Sequence, residues 1–188
     1  MNRHPLDDLL EAYSWLASQE IVCESRTSRI LHGDDVDPLE RAYEEWDELL
    51  GVLDGSHVHQ GFEHDAALEA GQVMYWTCLY QVREGRQYAA ASEGLESARF
   101  ARGGAGEISR YLATAVVAPD TRSRLDALWS ALGAACYSAS LDPAETARRD
   151  LAELSEKGYM RAYFDAGRAG DIIKQKASIC LVSVRSSW

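Results

Sequence analysis

The sequence predicts an all-α fold, and three observations predict it. Apolar residues recur at helical spacing through most of the long segments. Two segments open with the same start signal, Asp37-Pro38-Leu39-Glu40 and Asp142-Pro143-Ala144-Glu145. No sustained alternation of strand-like and helix-like stretches interrupts them. At 188 residues and 46% hydrophobic content, the chain is long enough to bury a core as one domain or a tightly fused pair.

The elements follow in order. Residues 5–20, PLDDLLEAYSWLASQE, place Leu6, Leu9, Leu10, Tyr13 and Leu16 on one face, the pattern of an amphipathic helix. A second helix starts at Pro38, where an aspartate cap, a proline at the first helical position and a glutamate at the third make up a capping box. Residues 51–61, with glycines and histidines, read as a loop. Residues 66–82, AALEAGQVMYWTCLYQV, are apolar nearly all round, as expected of a helix at the centre of a bundle. A further helix spans roughly 87–101 and stops before RGGAG, the best candidate linker. Residues 124–139 are again apolar on all sides, and the second D-P-x-E start follows them. The tail is less regular, and the β-branched content of SICLVSV permits a short strand.

Charge and motifs exclude several classes. Thirty acidic against nineteen basic residues leave a net charge of -11, which disfavours nucleic acid polymers and anionic membranes as partners. The longest apolar run is too short for a membrane span, and the first residues lack a signal-peptide core, so a cytoplasmic protein is expected. Cys23, Cys78, Cys136 and Cys180 are widely spaced without a CxxC pair, and are read as buried free thiols. A glycine-rich phosphate loop and a G-x-S-x-G elbow are both absent.

The chemistry gathers in the acidic residues. On the helix from Pro38, residues Leu39, Ala42, Tyr43, Trp46, Leu49, Leu50 and Leu53 form one stripe. Glu45 and Glu48 flank it on one side, and Glu44 and Asp47 offer a similar pair on the other; spacing alone does not choose between them. From Ala42 to Val82 there are eight acids and no lysine or arginine, so local ion pairing is not expected to balance them. Glu69 is the only charged side chain between Ala66 and Val82, with Gln72 one turn later. A carboxylate on a buried helix costs several kcal/mol unless a cation or hydrogen-bond donors meet it. Two facing helices with carboxylates three residues apart would present an oxygen cage suited to Mg²⁺ or Mn²⁺.

These residues carry a resemblance. The order E-E-x-x-E, loop, E-x-x-D resembles the all-α nucleoside triphosphate pyrophosphohydrolase superfamily, which includes MazG-like proteins, dimeric dUTPases and phosphoribosyl-ATP pyrophosphohydrolases. EEWDEL is similar to its first motif at Glu44, Glu45 and Glu48, and EAGQVMYW to its second at Glu69, Gly71 and Val73. The 21-residue separation of Glu48 and Glu69 also fits, while Gln72 stands where the family carries an aspartate.

The resemblance implies an antiparallel helix bundle of the MazG-like type. It makes residues 1–103 the unit bearing the motifs and 104–165 a degenerate second helical repeat, leaving 166–188 as a tail. In that repeat Asp126 falls at the aspartate position and Ser123 at the glutamate position. It further implies cleavage of a nucleoside triphosphate between its α and β phosphates, with Mg²⁺ or Mn²⁺ as cofactor and a homodimer or homotetramer as assembly. Glu45, Glu48, Glu69, Gln72 and Asp126 are then the candidate metal ligands, and Glu44 and Glu45 the candidate catalytic carboxylates.

Substrate contacts are expected from Arg83, Arg86 and Arg99 toward phosphate, with Arg102, Arg122 and Arg124 as further candidates. Trp15, Tyr75 and Trp76 are candidates for stacking on a base. A catalytically weakened nucleotide-binding protein and a helical oligomerisation module are the competing readings. The loop HVHQGFEHD holds His57, His59, His64 and Asp65, a set that could bind a transition metal or lie over a ligand.

Overall fold

A computed structural model describes residues 3–33, 36–84, 91–100 and 104–167. Among them every regular element is helical: α1 (Pro5–Ala17), α2 (Arg26–Leu31), α3 (Pro38–Asp54), α4 (Phe62–Arg83), α5 (Ala91–Ser97), α6 (Gly104–Val116), α7 (Thr121–Ser138), α8 (Pro143–Ser155) and α9 (Arg161–Asp165), with 3-10 turns at Ala98–Phe100 and Gly158–Met160. No described helix is long and apolar enough to cross a membrane. The segment SICLVSV lies outside the described residues.

At both start signals the aspartate caps the helix as predicted, but through the second helical N–H, and the reciprocal bond from the glutamate of a capping box is not seen among the described residues. Asp37 accepts a hydrogen bond from the Leu39 N–H at 2.9 Å, and Asp142 does the same for Ala144 at 2.9 Å. Each aspartate thereby satisfies one of the helix's first unpaired donors. The predicted face of α1 is buried in full.

α4 is the axis of the bundle, packing against α1, α2, α3, α7 and α8. That arrangement explains why its sequence is apolar all round. It starts four residues earlier than its apolar pattern, because Glu63 and Asp65 suit the positive end of a helix while carrying no hydrophobic signal. Trp129 of α7 donates its indole N–H to Gln81 at 2.9 Å, and Arg124 reaches the Tyr80 hydroxyl at 3.1 Å, fixing α7 across α4. Gly133 lets α5 and α7 touch through their backbones: a Cβ there would fall 2.0 Å from the Leu95 carbonyl oxygen. One core runs from Leu6 to Phe164.

Three expectations are corrected. Gly104, Ala105 and Gly106 of RGGAG open α6, whose Ile108 and Ala115 are buried; helical spacing of a few apolar residues prevails over glycine content there. The expected 51–61 loop begins only at Gly55, since α3 continues to Asp54 before that glycine ends it at φ +84°. Cys23 is exposed, whereas Cys78 and Cys136 are buried as free thiols; Cys180 lies outside the described residues.

Candidate metal centre

α3 and α4 form a hairpin whose turn sets the height of their carboxylates. The turn folds back on α3 through the His57 N–H, which donates to the Gly51 carbonyl at 2.9 Å. It is tied to α4 by Asp65, whose Oδ2 accepts from the backbone N–H groups of His59 at 2.6 Å and Gln60 at 2.9 Å. Glu48 stands six residues before the end of α3 and Glu69 seven after the start of α4. At about 1.5 Å of rise per residue, both lie about 10 Å along their helices from the turn.

The result is a convergence of three carboxylates. Glu45, Glu48 and Glu69 each offer an oxygen within 4.8 Å of the others, Glu45 and Glu69 buried and Glu48 exposed. The fold thus selects the Glu45/Glu48 flank of α3 over the Glu44/Asp47 flank, with Trp46 buried in between. Glu48 and Glu69 have no hydrogen-bond or ion-pair partner among the described residues. Burial, then repulsion from Glu48 and Glu45, raises the proton affinity of Glu69 above that of an ordinary glutamate.

The donor set fits a hard divalent cation. Such a cation takes oxygen ligands at about 2.1 Å, so the three carboxylates would have to draw closer together to hold it, and the exposed Glu48 is the side chain best placed to do so. Three carboxylates without soft ligands also favour Mg²⁺ or Mn²⁺ over zinc.

Arg41, one residue ahead of the cation-free stretch, supplies local ion pairing to two of its eight acids. Its guanidinium forms ion pairs with Glu44 and, at 2.5 Å, with Glu45. The same group lies 5.4 Å from the centre of the Trp76 ring, which Arg26 of α2 approaches at 5.8 Å. Its buried Nε has no acceptor among the described residues. A carboxylate has two oxygens, so Glu45 can face both Arg41 and a cation.

The remaining sequence candidates lie elsewhere in the fold. Gln72 is exposed and lines a cavity that also includes Tyr13, Tyr75 and Asp150. Asp126 is exposed on α7 and is not among the three converging carboxylates. Trp15 packs on Tyr163 with ring centroids 5.5 Å apart, and Arg83 donates to the Val36 carbonyl at 2.7 Å. Arg99 is exposed on the turn after α5, while Arg86 and Arg102 lie outside the described residues.

Of the histidine loop, His57 and His59 meet edge to face, with ring centroids 4.6 Å apart. Asp65 is engaged by hydrogen-bond donors, led by the His59 N–H, which hold its pKa down to about 2. Asp65 and Arg41 are the two residues whose roles sequence reasoning missed. The signals available were an acid in the first turn of a helix and an arginine three and four residues before two glutamates.

No family model matches the chain, and no curated protein or solved structure matches it either.

Proposed function

We propose that the chain is a metal-dependent nucleotide pyrophosphohydrolase that cleaves a nucleoside triphosphate between its α and β phosphates, releasing a monophosphate and pyrophosphate. The observation that carries this reading is the convergence of Glu45, Glu48 and Glu69 from two helices, with no lysine or arginine paired to Glu48 or Glu69 among the described residues and His57 the nearby group of opposite charge when protonated. The resemblance of EEWDEL and EAGQVMYW to the superfamily's motifs supplies the substrate class.

Bound Mg²⁺ or Mn²⁺ would supply charge neutralisation of the triphosphate and acidification of a water. Glu45, Glu48 and Glu69 hold the cation in this proposal, with Gln72 or Asp126 as outlying ligands. Arg41 turns from the glutamates toward phosphate oxygens, and Arg26 follows it along Trp76. Glu44, released from Arg41, takes the proton of the attacking water as the new P–O bond forms and pyrophosphate departs. Arg83, Arg86, Arg99 and Trp15 remain substrate contacts to be tested by substitution.

The proposed pseudo-duplication finds support in the packing: α3 with α4, and α6 with α7, are the two most extensive helix pairs. The second pair would lack a cage, since Glu107 of α6 pairs with Arg110 and Ser123 stands at the glutamate position. A homodimer or homotetramer is proposed on the family's pattern. A second reading, nucleotide binding without turnover, is favoured by Gln72 in place of aspartate and by Arg41 on Glu45.

The test is release of pyrophosphate and monophosphate from a panel of NTPs and dNTPs with Mg²⁺ or Mn²⁺. Turnover that depends on Glu48 and Glu69 supports the enzyme. Nucleotide-dependent stabilisation without turnover supports the second reading, and neither effect rejects both. Loss of turnover in Asp126→Asn would bring the second half into the site.

A further inference from the structure

Largely on the side of α4 away from Glu69, α1, α2, α4 and α8 line an open-mouthed cavity of about 790 Å³. On the α4 wall Ala67, Gly71 and Tyr75 lie more than a quarter turn from Glu69, while Gln72, about 60° from Glu69, is the lining residue nearest the glutamate face. None of the three clustered glutamates lines it. The volume lies within the range of small-molecule sites.

Its walls have a definite chemistry. Tyr13 and Tyr75 stand edge to face with centroids 6.0 Å apart, and Tyr159 forms another part of the lining. Between the helices sits Asp150, whose Oδ2 accepts the Tyr13 hydroxyl at 2.9 Å. Its other oxygen receives no hydrogen bond among the described residues. The Tyr75 hydroxyl is engaged with Thr27 at 2.9 Å, so Tyr75 presents chiefly ring to the space. Glu63 and Glu153 add negative charge at the lining, while Arg149 is drawn to Glu145 at 4.0 Å.

We infer that this cavity is a second ligand site, separate from the glutamate cluster, and that it binds a small organic cation: an ammonium group on an apolar body, paired with Asp150 and lying against the tyrosine rings. A carboxylate in a desolvated space gains most from a cationic partner, and tyrosine faces attract the same charge. Lys157 on the lining makes the cavity less negative without forming an ion pair with Asp150. The inference does not depend on the pyrophosphohydrolase reading.

Burial holds the Asp150 carboxyl up at about 6. The groups around it are Tyr13 from α1, Tyr75, Cys78, Glu63 and His64 from α4, Glu153 and Arg149 from α8, and Lys157 beyond. Ligand binding requires ionised Asp150, so affinity should fall as pH drops through about 6. His64 also lines the cavity, and a His64→Gln control removes any contribution from its ring.

The experiment is calorimetric binding of 2-phenylethylammonium, neutral 2-phenylethanol and anionic phenylacetate to the full chain. The ammonium should bind at least about tenfold more tightly than the other two, as expected for one desolvated charge-assisted contact. Asp150→Asn should abolish the preference, and Gly71→Leu, which fills open space on the cavity wall, should reduce binding of all three. Glu48→Gln should leave the preference intact. Absence of ammonium binding, equal affinity for the three probes, preference for phenylacetate, or a preference that survives Asp150→Asn would overturn the proposal. Should Asp150→Asn not fold, the pH profile of the His64→Gln protein decides: a fall below about 6 supports the site, and a flat profile overturns it.

Discussion

Asp65 and Glu69 sit one turn apart on the same helix, both almost wholly removed from solvent, at 5% and 8% exposure. Their electrostatics are opposite. Asp65 receives two backbone N–H groups and the His64 ring, and its pKa is held near 2. Glu69 receives no donor, faces two further glutamates, and its pKa is raised. Burial alone therefore does not mark a functional carboxylate. The missing donor is what sets Glu69 apart, because the folded chain leaves a negative charge that something outside the chain can meet.

The largest effect expected from this contrast is on turnover. Glu69→Gln and Glu48→Gln should each reduce pyrophosphate release on the order of 100-fold, the scale of disabling a metal site. Asp65→Asn should act mainly on folding, with turnover per folded molecule far less affected; equal losses in all three variants would erase the distinction.

Stability without metal offers the next test. Asp65→Asn should lower Tm, since two N–H groups lose a charged acceptor. Glu69→Gln should raise the stability of the metal-free protein by about 0.5–1 kcal/mol, because it removes repulsion from a carboxylate triad. Thermal melts in a chelating buffer measure both, and a fall in Tm for Glu69→Gln would mean that Glu69 has a stabilising partner.

Acid titration sharpens the same pair. Asp65 has a depressed folded pKa, so its stabilisation is present above the ordinary value of 3.8 and is lost as pH falls through about 2. Glu69 has a raised folded pKa, so its cost is present at neutral pH and is relieved as pH falls through that raised value. Chemical denaturation across the acid range should show Asp65→Asn flattening the loss below 3.8 and Glu69→Gln removing the earlier relief.

The smallest effect concerns the histidine loop. His64→Ala should change stability by less than about 0.5 kcal/mol, the usual scale of an exposed partner. If the loop bound zinc, Zn²⁺ would stabilise the wild type and fail to do so in a His57→Ala/His59→Ala variant; equal responses are expected.

Much of this was legible in the sequence because it rests on local chemistry. The D-P-x-E starts at Pro38 and Pro143, the buried face from Leu6 to Leu16 and the apolar circumference of α4 all follow from spacing and capping. Glu69 is legible because an apolar helix leaves a lone glutamate conspicuous, whereas spacing leaves Glu45 and Glu48 level with Glu44 and Asp47, and the family resemblance rather than the helix pattern favours them. Other features depend on tertiary contact. α2 has six residues, too few for a periodic pattern, and α6 begins within a glycine-rich stretch. Arg41 lies one residue before the cation-free stretch, and only the hairpin brings its partner Glu45 opposite Glu69. The place of Asp150 beside Tyr13, 137 positions away, has no local signature.

The most direct test of the central claim is Mn²⁺ binding to the full chain, followed by electron paramagnetic resonance, in wild type and Glu69→Gln. At 100-fold excess over its Kd, a bound ion would also add about 2.7 kcal/mol to the wild type. The account predicts saturable Mn²⁺ binding that Glu69→Gln weakens at least about tenfold and Asp65→Asn leaves in place. Unchanged binding in Glu69→Gln, or no saturable binding in the wild type, would contradict it.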